Sequence, residues 1–113
     1  MAKFESSIIT ELTDLKERVL FEGQEVWAIN YSGRYKSILG NMLAEENFAT
    51  GGIALGIVYA HFRGKVSVSI RSRGEVDVSA IALKYGGGGH KNAGRFQVNG
   101  FEDLPFSFIS KID

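Results

Sequence analysis

Apolar residues at Ile8, Leu12, Leu15 and Val19 recur at helical spacing, which predicts an amphipathic helix over 4–20 ended by Gly23. A strand follows over 26–31. Ile38, Leu39, Met42 and Leu43 then share one face of a helix over 35–46, which Thr50-Gly51-Gly52 breaks. The apolar run 53–62 reads as a central buried strand, and Arg63-Gly64 as the turn of a hairpin. On the returning strand Val66, Val68 and Ile70 alternate with Ser67, Ser69 and Arg71, so one face meets the core and the other offers hydroxyls and a guanidinium to a ligand. Asp77 is placed to cap a helix carrying Val78, Ile81, Ala82 and Tyr85, with Gly86 as its stop. A last strand over 95–98 turns back at Asn99-Gly100. A C-terminal helix is predicted from Leu104, with Pro105 in its first turn and Phe108, Ile109 and Ile112 behind it. The expected fold class is α/β: a single domain with a mixed four- or five-stranded sheet flanked by helices.

Composition narrows the setting. The 113 residues are 44% hydrophobic, enough for one core, and no apolar run is long enough to span a membrane. The chain has no cysteine, which removes disulfides and thiolate metal sites and fits a reducing cytoplasm. Net charge is zero but segregated. Residues 1–30 hold three basic and six acidic side chains, whereas 61–95 hold seven basic and two acidic. Positive charge concentrated on one stretch suits a small phosphorylated ligand better than the broad basic face that grips a duplex.

That basic stretch contains Gly86-Gly87-Gly88-Gly89-His90-Lys91-Asn92-Ala93-Gly94. Four consecutive glycines lose much entropy on folding and give nothing to a core, so the pattern implies a backbone that something approaches closely. It is expected to form a loop whose bare N–H groups make a nest for an anion, with His90 and Lys91 adding donors. Two common phosphate loops are excluded. A Walker loop needs Gly-Lys-Ser/Thr at its end, and Arg95-Phe96 follow Gly94 here; a dinucleotide fingerprint needs a preceding strand and a third glycine where Lys91 or Asn92 stands. His61 and His90 lack the clustered carboxylates of a metal site or of a complete hydrolytic centre.

The glycine run, preceded by Ser69-Ile70-Arg71-Ser72 and Val76-Asp77-Val78-Ser79-Ala80-Ile81-Ala82, resembles the signature of the first class of DHH-associated domain. The resemblance is strongest over 25–100 and extends the domain reading to the whole of 1–113. Such domains form the C-terminal half of DHH phosphoesterases: RecJ-like exonucleases, nanoRNases that also dephosphorylate 3'-phosphoadenosine 5'-phosphate, and dinucleotide phosphodiesterases. The resemblance implies a partner, an N-terminal Asp-His-His domain that holds manganese, and this sequence has no Asp-His-His motif. The chain is therefore expected to be the substrate-binding domain apart from its catalytic half, inactive alone, with no cofactor of its own and with homodimerisation arising chiefly through the catalytic domain. Short single-stranded nucleic acid or a nucleotide is the implied ligand, and polyphosphate is a further candidate.

Carried over to these positions, the resemblance implies that Arg71 and Ser72 contact the nucleotide or its phosphate. Gly87, Gly88 and Gly89 supply backbone donors, His90 faces the scissile phosphate, and Lys91 and Asn92 bind or fix the loop. Gly94-Arg95 departs from the commoner Ala-Ala-Gly ending and leaves the role of Arg95 open. Arg71 could instead project into water and His90 bond only to backbone. His61 is expected to be structural, Trp27 to lie in the core, and Tyr31, Tyr35 and Tyr59 in the core or on its rim. Two other functions fit the same residues. One is a stand-alone RNA-binding module like the C-terminal domain of alanyl-tRNA synthetases, which usually lack the His-Lys-Asn continuation; the other is an interaction domain whose glycines only pack.

Overall fold

The computed structural model describes residues 9–109, and its organising element is one seven-stranded sheet. In chain order the elements are a helical segment over 9–13 (α1), β1 (Glu17–Phe21), β2 (Gln24–Asn30), α2 (Lys36–Ala49), β3 (Leu55–Phe62), β4 (Lys65–Ser72) and α3 (Val78–Lys84). These are followed by β5 (Gly88–His90), β6 (Ala93–Val98), a 3-10 turn (Phe101–Asp103) and β7 (Phe106–Phe108). The strands lie in the order β5-β6-β4-β3-β2-β1-β7, antiparallel except for β2 beside β3, the pair that α2 connects.

Local chemistry explains the turns. Glu22-Gly23 and Arg63-Gly64 each place two successive residues at positive φ, at 52° and 76° and at 51° and 82°, the geometry that matches the twist of a tight hairpin. Asp77 caps α3 by accepting from the Ser79 amide at 2.9 Å, and Gly86, at φ 86°, ends it.

Two cores form on the two faces. Val19, Phe21, Val26, Ile57, Val68, Ile70 and Phe96 face α3 and Phe106 on one side; Ile29 and Val58 meet Ile9, Leu39 and Leu43 of α1 and α2 on the other. Trp27, Tyr31 and Tyr35 pack at the margin of the second core, and Tyr59 is buried in the first. Buried Asn47 locks the end of α2 in place: its amide donates to the carbonyls of Glu25 and Ile53 at 3.0 and 2.7 Å, and its oxygen accepts from Arg18 at 2.6 Å.

Four expectations are corrected. Described residues of the predicted 4–20 helix are helical only to 13. Beyond them Glu17–Phe21 is a strand, because Val19 and Phe21 point inward at period two and pair with β2 and β7, while Leu15 is 65% exposed. Residues 4–8 lie outside the described residues. The predicted C-terminal helix is replaced by β7, whose Phe106 pairs with Phe21 and enters the core; Ile112 also lies outside the described residues. The sheet has seven strands instead of four or five, the additions including β1, β5 and β7. Finally, the glycine run is a loop only in part, since Gly88–His90 forms the edge strand β5.

Candidate functional site

The face of the sheet beneath α2 carries the polar residues of β4. Ser67, Ser69 and Arg71 alternate with buried Val66, Val68 and Ile70, so register alone aligns the guanidinium with two hydroxyls. Two glycines bring α2 down on this face. A Cβ on Gly56 would lie 2.6 Å from the Gly40 carbonyl oxygen, so the two backbones are nearly in contact. Gly40 in turn leaves the space that the Arg71 side chain occupies, and Arg71 Nη2 donates to Ser37 Oγ at 2.7 Å. The stem of Arg71 is thus held between helix and sheet while the rest of its donor fork stays available.

Ser72 is 1% exposed and its hydroxyl works internally. Ser72 Oγ donates to the Val76 carbonyl at 2.6 Å and accepts from Asn92 Nδ2 at 2.9 Å. The Ser72 amide donates to the Asn92 carbonyl at 3.2 Å and the Val78 amide to the Lys91 carbonyl at 2.7 Å. These bonds clamp the Lys91-Asn92 turn to the end of β4 and the start of α3. Asp77 lies at the same junction, and the Ser79 hydroxyl and amide hold its carboxyl below the usual carboxylate range. The clamp places exposed His90, paired with Ala93, on the strand row that continues to Arg71.

Arg71, Ser72, His90, Lys91 and Asn92 therefore line one open cleft of about 430 Å³, with Arg73 and Asn41 at its margin. The glycines divide by role. Gly87 lies against β6, where a Cβ would come 2.7 Å from Phe96 Cβ, and its amide donates to the Ala82 carbonyl at 2.8 Å. Gly89, at φ 143°, is pressed against Ala93 and Gly94, and only Gly88 of these three has open space before it. As an edge strand β5 leaves its outer row of backbone groups without a strand partner. The anion nest foreseen in the glycines is thus a short hairpin with a bare edge. His61 lies outside the cleft, exposed and stacked on Phe101 at 6.3 Å.

The cleft is suited to binding. Among the described residues no three His, Asp or Glu side chains come together to hold a metal ion. Lys91 is paired with Glu75 at 3.1 Å and Arg73 with Glu45, whereas Arg71 and His90 meet no carboxylate among the described residues. Sequence reasoning missed Ser37, Gly40 and Asn41. Their only signal was a polar, small-residue opening to a helix otherwise read for its apolar face.

Sheet, hairpin and clamp together define an α/β module that presents an arginine and a histidine on one strand row. The DHHA1 domain model matches residues 26–110, and the chain belongs to that family, the domain associated with DHH phosphoesterases. Uncharacterized protein R106 of Acanthamoeba polyphaga mimivirus is 38% identical over 80 residues, which cover 69% of this chain and 19% of that protein. A pGpG-specific phosphodiesterase of Vibrio cholerae, PggH, shares the fold with a TM-score of 0.57 at 19% identity, covering 89% of this chain and 35% of that one. This chain thus spans a minor part of either protein. No described helix is long and apolar enough to cross a membrane.

Proposed function

We propose that this chain is the substrate-binding half of a DHH-type phosphoesterase and grips a phosphate of a short oligonucleotide or small nucleotide. The observation that carries the reading is the placement of Arg71 and His90 on one strand row, beside the cleft that the Ser72–Asn92 clamp shapes. Arg71, oriented by Ser37, presents parallel N–H donors to two phosphate oxygens, and His90 donates to the same group from the edge strand. Gly88 lets the ligand approach the backbone. Ser72 and Asn92 act as positioning residues.

In this reading hydrolysis belongs to an Asp-His-His domain across the cleft, which holds manganese, and this chain alone binds without turnover. The parent protein works in a reducing cytoplasm. A nuclear magnetic resonance titration with 3'-phosphoadenosine 5'-phosphate, a short oligoribonucleotide and inorganic phosphate tests it. Shifts centred on Arg71, Gly88 and His90, abolished in Arg71→Ala, are expected. A preference for folded tRNA with no response at these residues would instead favour the module like that of alanyl-tRNA synthetases, and turnover by the pure chain with manganese would refute the division of labour.

A further inference from the structure

Among the described residues Lys16, Arg18, Arg73, Lys84 and Lys91 each pair with a carboxylate at 3.4 Å or less, whereas Lys36, Arg63, Lys65, Arg71 and Arg95 face none. Lys65 is held by the Asn99 side-chain oxygen and Arg63 lies over the Phe62 ring at the β3–β4 turn. The other three, Lys36, Arg71 and Arg95, gather on the α2 face of the sheet. Arg95 stands opposite Ser69 on β6 and donates from Nε to Ser67 Oγ at 2.9 Å, the same guanidinium-to-hydroxyl arrangement that Arg71 makes with Ser37. Lys36 opens α2 beside it. Lys36 and Arg95, with Ser67, Ser69 and Tyr31, line a second cavity of about 260 Å³, separate from the Arg71–His90 cleft. Gly33 shapes its wall, since a Cβ there would come 2.7 Å from Tyr31 Cζ.

The strand register fixes the relation between the two cavities. The row His90–Ala93–Arg71 is followed, two residues along, by the row Gly88–Arg95–Ser69. Two residues of strand span about 7 Å, which is the order of separation of successive phosphates along an extended nucleotide chain. Uncompensated cations tethered to hydroxyls at that repeat, on a molecule whose net charge is zero, form an electropositive track instead of a solvated surface.

We propose that the Lys36–Arg95 cavity is a second phosphate subsite and that this chain selects ligands bearing two phosphates along a strand, dinucleotides or longer single strands, over mononucleotides. The proposal rests on the reading of the Arg71–His90 cleft as the first phosphate site. Arg95, exposed and outside the motif that defines that cleft, is then a specificity residue.

The test is a set of calorimetric titrations of the wild-type chain and of Arg95→Ala, Lys36→Ala and Arg71→Ala with AMP, with 5'-phosphorylated diadenylate and with 3'-phosphoadenosine 5'-phosphate. Loss of one charge-assisted phosphate contact should weaken diadenylate by about tenfold in Arg95→Ala, with a shallower salt dependence, and leave AMP unchanged. The bisphosphate mononucleotide distinguishes a second phosphate on the same sugar, which would also respond, from one on the next nucleotide. If Arg71→Ala weakens AMP while Arg95→Ala and Lys36→Ala affect no ligand, the second subsite is overturned and the first stands. If wild-type binding survives Arg71→Ala for every ligand, the first reading falls and this one with it.

Discussion

Gly40 and Arg71 fit as socket and stem: a Cβ on Gly40 would lie 2.5 Å from Arg71 Cγ and 3.1 Å from Arg71 Cβ. The helix must therefore lack a side chain at the point where the sheet projects Arg71. Gly40→Ala gains about 1 kcal/mol of helix propensity and loses about 1–3 kcal/mol to overpacking. It should be net destabilising in urea titration, and nucleotide affinity should fall further than stability because Arg71 has to leave its position to relieve the clash. Unchanged affinity would show that the guanidinium reaches the ligand without this seat.

Ser72 tests the clamp. Ser72→Ala removes the partner of Asn92 Nδ2 and of the Val76 carbonyl in a site with almost no access to water. The expected cost is about 1–3 kcal/mol. Amide exchange should quicken at Lys91 and Asn92 more than in β3, and ligand binding should weaken through the loosened His90 hairpin. If exchange rises evenly over the whole sheet, the bond stabilises the fold without shaping the cleft.

Much of this site was legible before the structure. Alternation along 66–71 placed Ser67, Ser69 and Arg71 on one face, and β4 carries them so. Turn chemistry at Arg63-Gly64 and the Asp77 cap acted locally and could be read locally. Elements fixed by distant partners could not. Leu12, Leu15 and Val19 satisfy a helical period, yet Val19 is claimed by Val26 and Phe108, residues the periodicity cannot see. Phe106 is drawn to the core by edge-on contacts with Phe21 and Tyr59, and Pro105, a residue suited to the first turn of a helix, here precedes a strand. The same limit hid the division of labour among the glycines, which depends on how β5 lies against β6.

That division makes a sharp contrast within one motif. Gly87→Ala must displace β6 backbone and should destabilise strongly, by about 1–3 kcal/mol. Gly88→Ala meets open space and should leave stability within about 1 kcal/mol, or raise it slightly by restricting the unfolded chain. A well-folded Gly88→Ala chain that has lost nucleotide binding would identify the bare β5 edge as the surface the ligand approaches. Full binding by that variant would assign the glycines to packing alone.

The alkaline limb of stability tests the opposite face of the sheet. Tyr85 stacks on Phe96 with centroids 4.9 Å apart and donates its hydroxyl to Glu22, which Lys84 also contacts at 3.0 Å. Burial, then the hydrogen bond and charge of Glu22, push the Tyr85 phenol from 10.0 up to about 12; burial and Glu17 do the same for Tyr59. The bond to Tyr85, with Lys84, holds Glu22 below its ordinary value. A raised phenol binds its proton more tightly in the folded state, so its contribution is complete below pH 10 and lost as pH rises through about 12. A lowered carboxyl contributes above its unfolded value and loses that contribution as pH falls through its folded one. Tyr85→Phe keeps the ring stack and removes the hydroxyl, costing about 0.5–1 kcal/mol at neutral pH in this exposed setting. Its urea midpoint should decline less than that of the wild type between pH 10 and 12, with the remaining decline removed by adding Tyr59→Phe. It should also decline less in acid, since Glu22 has lost its principal donor. Parallel pH profiles for wild type and Tyr85→Phe would mean that the Glu22–Tyr85 bond does not persist in solution, and that the β1–β2 turn is held to α3 by ring packing alone.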